Sequence, residues 1–226
     1  MKPELIETML ADPQGRIALW DLHMQRLEGS ARVLGYVRPD PSALCSIARS
    51  AIDQAQTSDS NSRGSADADA GWRVRLLMSS TGSATVTVTP QPVLTSKPGV
   101  VLSAYALDSS QSWLRHKTTH RPWYDSAAAW LQRRPDYFDV LFCNERGELC
   151  EGSRSNVYLK IDGQWLTPPL SSGLLPGVWR RKLLDEGQVR QAILPVSYLT
   201  ADATVRLSNG LRGWFDVRPD LTLKVS

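Results

Sequence analysis

The chain contains no uninterrupted apolar run of about 18 residues, the length a helix needs to cross a bilayer, so no membrane-spanning helix is expected. Its opening, MKPELIETMLADPQGR, carries acids and lacks a long apolar stretch, which argues against a secretory signal and for the cytoplasm. Cysteine is scarce. Cys45, Cys143 and Cys150 form no CxxC pair and have no histidine close by in sequence, which argues against a metal centre or a disulfide framework. Cys143 and Cys150 flank a tight turn and are expected on paired strands as buried, reduced thiols. The net charge is only +3 over 226 residues and is scattered, too little for a nucleic-acid surface, though it suits a small anionic substrate. The stretch after Gly71 has no GxGxxG, and the chain has no P-loop and no GxSxG elbow. A Ser-His-Asp arrangement assembled from distant positions stays open.

Lysine is rarer than it looks. Against twenty arginines there are six lysines: Lys2, Lys97, Lys117, Lys160, Lys182 and Lys224. One lies inside WLRHKTTHRPWYD, positions 113 to 125, with Trp113, Trp123 and Tyr124 around it. A point cation there could be arginine. An amine that must shed its proton and attack a carbonyl could not, because a guanidinium stays protonated. Apolar neighbours lower an ammonium pKa by disfavouring the charged form, which Schiff-base chemistry needs. Such a lysine implies a carbonyl cofactor, most often pyridoxal phosphate, together with an anion for its pyridine nitrogen and a cradle for its phosphate. Glu151, at the end of ELCE, is the candidate anion. In SSGLLPGVWRR a helix begins near Pro176, and the main-chain N–H groups of Gly177, Val178 and Trp179 would meet a phosphate at its positive end. Arg26 could add a forked clamp. Each of these residues has an ordinary reading beside this one: a solvated lysine, a hairpin acid, a Pro-led helix start, a surface arginine.

The pattern along the chain is α+β. ELIETML and GRIALW, split by DPQG, read as a hairpin. Asp21 offers an N-cap to a helix in which Leu27, Ala31 and Leu34 form one apolar stripe, with His23 and Arg26 on another face and Gly35 at the end. A second helix covers about 41–54, and the polar, low-complexity segment 57–71 reads as a surface loop. WRVRLLMSS, ATVTVTP and GVVLSAYAL are β-branched and alternating, and would complete a sheet with the first hairpin. After LDSSQS the pattern restarts: a helix at PWYDSAAAWLQRR, a hairpin turning at NERG, another turning at Asp162-Gly163, a helix at PGVWRRKLLDEG, and short strands in ATVRLSN. The expected division is a smaller domain over 1–108, a linker over 109–112 and a larger domain over 113–226 that carries Lys117. Ligands favour such interfaces.

These pieces occur in a familiar order. LIETM with HMQRLEGSARVLGY, then LRHKTTHRPWYD, GELCEGSRSNVYL, WLTPPLSSGLLPGVWRRKLL and LSNGLRGW resemble the successive motifs of the fold-type IV, or class IV, pyridoxal-phosphate enzymes. That family includes branched-chain and D-amino-acid aminotransferases and 4-amino-4-deoxychorismate lyases. The resemblance implies a two-domain fold with pyridoxal 5'-phosphate at the domain interface and a homodimer. It implies Lys117 as the covalent anchor, Glu151 at the pyridine nitrogen, Arg26 on the phosphate with the main chain of Val178 and Trp179, and Leu175 on the ring. The loop Ser208-Asn209-Gly210 would close the phosphate side, with Gly210 where the family often has Ser or Thr. Aminotransferases of the family often carry Asn-Tyr four and five residues after the lysine; here stand Arg121 and Pro122, so Tyr124 is the remaining tyrosine that could reach the cofactor's phenolic oxygen. The HKTTxRxxYD pattern and the start at ELIETM resemble the lyase, and in particular the lyase domain that some bacteria fuse behind aminodeoxychorismate synthase. The implied reaction gives 4-aminobenzoate and pyruvate, with Arg75, then Arg121 and Arg212, as candidates for the substrate carboxylates. Two other readings are a transaminase acting on branched-chain or D-amino acids, and a family member that has lost its chemistry.

Overall fold

The computed structural model describes residues 2–60, 71–94 and 96–226. By contact density the chain divides into two compact units. The first is Met1–Thr95 with Lys117–His120, and the second is Ser96–His116 with Arg121–Ser226.

The first unit is a three-stranded antiparallel sheet, β1 (Leu5–Ala11), β2 (Trp72–Met78) and β3 (Ala84–Pro90), in that order. Two helices accompany it, α1 (Trp20–Leu34) and α2 (Pro41–Ser60). The core follows from the two periodicities. Leu5, Met9, Val74, Leu76 and Met78 alternate along the strands, and Leu27 and Ala31 on α1 and Leu44, Ala48 and Ile52 on α2 recur every four residues. Each fully buried Leu or Ile of this set contributes about 1.5–3 kcal/mol by leaving water. Asp40 caps α2 by accepting from the N–H groups of Ser42 and Ala43. Gly35 ends α1 in the left-handed region, at φ 65°, where a side chain would be strained.

Several local expectations change. GRIALW is not a strand, and β1 pairs with β2 instead. The Asp12 carboxylate accepts from the N–H groups of Gln14 and Arg16, which folds the chain back on itself before any ladder can form. The helix begins at Trp20, so Asp21 lies in its first turn rather than at its cap. The second helix runs on to Ser60. Residues 57–60 of the expected loop are therefore helical, and 61–70 lie outside the described residues.

The second unit is built on eight strands: β4 (Gly99–Ser103), β5 (Tyr137–Cys143), β6 (Leu149–Gly152), β7 (Asn156–Ile161), β8 (Gln164–Thr167), β9 (Arg190–Gln191), β10 (Val205–Asn209) and β11 (Gly213–Val225). Strand β10 pairs with both β11 and β7, so β7, β6, β5, β4, β11 and β10 close into a six-stranded barrel from which β8 and β9 extend. Helices α3 (Asp125–Leu131) and α4 (Val178–Asp185) belong to this unit. The Asp162-Gly163 turn joins β7 to β8 with φ of 49° and 78°, as a two-residue hairpin requires.

GVVLSAYAL was expected beside the N-terminal strands. Instead β4 lies between β11 and β5, parallel to both, and Gly99 packs so closely on the Tyr137 ring that an added Cβ would come within 2.7 Å of it. Alternation identifies a strand but not its sheet. The division of the chain also differs from the expected one. Residues 109–112 fall inside the second unit, and Lys117 groups with the first because Lys117–Thr119 hydrogen-bonds along the free edge of β1. Cys143 and Cys150 do lie on paired strands. All three thiols are free; Cys150 is buried, Cys45 and Cys143 half-buried.

Candidate active site

In the first unit, Lys117 is fixed by its backbone. Its carbonyl accepts from Ile6 N–H at 2.8 Å, Thr118 bridges to Leu5, and Thr119 N–H donates to Glu4 O at 2.9 Å. Thr118, opposite Leu5, is fully buried on the core side, so Lys117 shares the other sheet face with Ile6 and Leu77. Thr8 and its partner Arg75 lie on that same face, one row along. The structure thus places Lys117 and Arg75 on one side of the sheet.

Arg26 is on the helix side, in a cluster that the sequence did not reveal. Glu7, 1% exposed, receives Arg26 Nε on Oε1 at 3.0 Å and Arg26 Nη2 on Oε2, and His23 Nδ1 lies 2.6 Å from Oε2. Burial pushes the Glu7 carboxyl up, but Arg26 and then His23 outweigh it and hold it at about 2. His23, fully buried, is pushed down by burial against the opposing pull of Glu7; the charges of Arg26 and Lys117 push it further. The imidazole is therefore neutral, with the proton on Nδ1 toward the carboxylate, and Nε2 has no hydrogen-bond partner among the described residues. The expected phosphate arginine has one edge of its fork committed to an acid.

In the second unit, Glu151 is the next-to-last residue of β6 and is 4% exposed. Tyr124 Oη donates to its Oε1 at 2.6 Å and Leu175 N–H to its Oε2 at 3.1 Å. Burial pushes this carboxyl up to about 7, against these two donors and the charge of Arg121. Tyr124 is thus a support for Glu151, and its hydroxyl is not free for a phenolic oxygen. Asn156, opposite Glu151 in the β6–β7 pairing, donates from Nδ2 to Leu175 O at 2.9 Å. An added Cβ at Gly177 would come within 1.9 Å of Asn156 Oδ1, so only glycine lets the two segments meet this closely.

Gly177 caps α4 with no side-chain hydrogen bond, leaving the first N–H groups of the helix, from Gly177 through Trp179, without a side-chain cap, and Pro176, expected as the first helical residue, stands two residues further out, ahead of the cap. Val178 is buried and Trp179 half-buried, and the Trp179 ring lies against Gly213. Gly213 ends the Asn209–Arg212 turn, which Asn209 Oδ1 shapes by accepting from Leu211 and Arg212 N–H. The structure so brings the α4 start and the Asn209-Gly210 loop together. Ser208 Oγ is engaged with Tyr158 Oη at 2.7 Å. Arg212 is half-buried near the Phe138 ring. The turn after Glu151 rests on Asp139, also unforeseen. Its carboxylate accepts from Ser153 Oγ, Ser155 Oγ and the N–H groups of Val140 and Arg154. Lone acids in apolar strands, LIETML and YFDVLFC, were the signal for both Glu7 and Asp139.

Residues 4–219 match the family described as amino-transferase class IV. The chain belongs to that family. Its fold is that of the fold-type IV enzymes. A solved structure titled a "Putative amino-acid aminotransferase" from Mesorhizobium loti superposes with a TM-score of 0.82 at 35% identity, covering 97% of this chain and 100% of that one. A solved "Putative 4-amino-4-deoxychorismate lyase" from Legionella pneumophila gives 0.76 at 19% identity over 96% and 82%, a likeness of fold. Among curated class IV relatives, a "Putative aminodeoxychorismate lyase" of Schizosaccharomyces pombe is 29% identical over 191 residues, 83% of this chain and 75% of that protein. Members of the family are pyridoxal-phosphate enzymes, and the PLP-bound form of "A hypothetical aminotransferase from Mycobacterium tuberculosis" is among the similar structures, at 25% identity with a TM-score of 0.73 over 96% of this chain and 81% of that one. The residues of this class IV chain fit such a group. A buried acid near neutrality suits a ring nitrogen that carries a proton, and an uncapped helix start beside an obligatory glycine suits a phosphate.

Proposed function

We propose that the chain is a pyridoxal-phosphate-dependent lyase that converts 4-amino-4-deoxychorismate to 4-aminobenzoate and pyruvate. Glu151 carries the cofactor half of this reading: a carboxyl held by Tyr124 and Leu175 at about 7 gains most from a protonated ring nitrogen. The choice of lyase rests on the relatives bearing that name and on Arg121-Pro122 after the lysine. When bound, the cofactor supplies an aldehyde and an electron-withdrawing ring.

The chain's own groups do the rest. Lys117 Nζ is the residue assigned to bind the aldehyde covalently. With that amine freed by the substrate's own, Lys117 would take the ring proton beside the substrate nitrogen, so that the enolpyruvyl ether bond could break and the ring become aromatic. The same amine returns a proton to the methylene carbon of the departing enolpyruvate, which becomes pyruvate, so no oxidant or second substrate is consumed. Val178 and Trp179 main-chain N–H groups, Arg26 and the Asn209-Gly210 loop are assigned to the phosphate, Leu175 to the ring, and Arg75, Arg121 and Arg212 to the substrate carboxylates.

Lys117→Ala is expected to abolish the visible absorbance that borohydride bleaches and to cut aminobenzoate formation by at least about a thousandfold. Lys117→Arg is expected to be equally inactive, since it keeps charge but offers no nucleophile. An arginine variant with most of its activity would overturn the covalent role. The Mesorhizobium loti relative supports a second reading, transamination. Amino-group exchange between an amino acid and a 2-oxoacid, without pyruvate release from aminodeoxychorismate, would decide for it.

A further inference from the structure

A cavity of about 410 Å³ in the second unit has a wall that includes Arg121, Tyr124, Ala128, Leu131 and Arg154. Tyr124 belongs to both places, since its ring lines the cavity while its hydroxyl donates to Glu151. The two arginines are held, not loose. Arg154 donates from Nε to Phe138 O at 2.8 Å and from Nη2 to the same carbonyl, and its guanidinium lies 4.6 Å from the Phe138 ring centre. Arg121 donates from Nη2 to Ser153 O and lies 4.8 Å from the Tyr124 ring centre.

Each guanidinium is thus oriented by a neutral carbonyl and an aromatic face, and each also acts through its charge on a buried acid behind the wall, Arg121 on Glu151 and Arg154 on Asp139. Two positive forks fixed on one cavity wall favour an anion, and a carboxylate matches their geometry. Asp125 is an acid on the same wall, but it is exposed to solvent at the start of α3, where its charge complements the helix. Ala128, Leu131 and the Tyr124 ring provide apolar surface. The volume suits a molecule built on a single ring.

We propose that this cavity is a binding site for a small cyclic or aromatic carboxylate, with Arg121 and Arg154 as its clamp. Its part in catalysis rests on the function proposed above, in which both the ring substrate and aminobenzoate carry a carboxylate on a six-membered ring. Arg154 is then a substrate- or product-recognition residue that neither motif nor spacing marked. The site also reports to Glu151. The Arg121 charge helps hold that carboxyl down, so an anion seated on Arg121 offsets it and raises the Glu151 titration.

The test uses the cofactor-free chain, benzoate as probe and benzamide as its neutral match, with affinity read by calorimetry and Glu151 by carboxyl carbon NMR. Wild type is expected to prefer benzoate over benzamide by tenfold or more. Arg121→Gln and Arg154→Gln should each weaken benzoate by at least about tenfold and leave benzamide unchanged, as loss of a charged hydrogen-bond pair predicts. Benzoate should shift the Glu151 titration upward in wild type and not in Arg121→Gln. Equal benzoate affinity in wild type and both variants, or no preference over benzamide, overturns the site. If Arg154→Gln fails to fold, the wild-type preference and its loss in Arg121→Gln decide. Cofactor capture by the same proteins separates the two claims: Arg154-dependent benzoate binding without a borohydride-sensitive band keeps the site and sinks the lyase, while the band without such binding does the reverse.

Discussion

Glu7 and Glu151 are the same residue type at nearly the same burial, yet they are driven in opposite directions. Glu7 sits against a guanidinium fork and an imidazole and falls to about 2; Glu151 has only neutral hydrogen-bond donors in contact and rises to about 7. The difference is partnership, since burial acts upward on both. Replacing Glu7 by Gln would leave Arg26 buried without its anion, and one acceptor oxygen where two now serve Arg26 and His23. Breaking a buried pair from one side costs about 3–5 kcal/mol, so Glu7→Gln is expected to lower the melting temperature markedly. Thermal unfolding followed by circular dichroism checks this, and a loss within the scatter of surface substitutions would show that the pair contributes little.

At the scale of elements, two glycines set how closely segments approach. Gly152 follows Glu151 where an added Cβ would meet Asp139 Oδ2 at 2.2 Å, and Gly177 begins α4 against Asn156 Oδ1. Neither has positive φ, so the constraint is space and not backbone strain. Gly177→Ala is expected to cost about 1–3 kcal/mol, as overpacking does, and to weaken cofactor capture more than Gly187→Ala, where an added Cβ meets nothing within 4 Å but φ is 67°. Equal cofactor affinity in the two variants would remove the α4 start from the phosphate site. Much of this scale was legible in sequence. The four α-helices and most of the strands followed from period and turn residues, and the Asp162-Gly163 turn was unambiguous, but the thirteen-residue β11 was not foreseen and Asp21 lies inside α1 rather than at its cap. What failed was pairing. GRIALW alternates as a strand does, but Asp12 turns the chain locally; GVVLS is a strand, but its neighbours are β5 and β11, over thirty residues and more away in sequence. The order of the site motifs could be read from the chain, whereas Glu7, Asp139 and Arg154 acquire meaning only once non-local neighbours are known.

Across the whole molecule these shifts predict that the two units respond to pH with opposite sign. In the first, Glu7 is depressed from 4.5 to about 2, so its contribution to stability is present above about 4.5 and is lost as pH falls toward 2. His23 is depressed as well, so the unfolded chain takes up a proton first and the fold weakens as pH drops below 6.5. Both make the first unit more stable as pH rises. In the second, the Glu151 carboxyl is raised from 4.5 to about 7 by burial, and Asp139 is raised by burial too. Between about 4.5 and 7 the folded unit binds more protons than the unfolded one, so stability falls with rising pH across that window. His116 acts the other way, but it is only half-buried and its shift is screened accordingly. Amide hydrogen exchange on the cofactor-free protein, followed from pH 5 to 7, is therefore expected to slow relative to intrinsic rates in β1 and α1 and to quicken in β5 to β7 (about two pH units are enough to see both trends). Glu151→Gln removes the charge that must be buried, and it is expected to flatten the second trend while leaving the first intact. Parallel trends in both units, or a second-unit slope that survives Glu151→Gln, would mean that Glu151 titrates in the folded protein where an ordinary glutamate does.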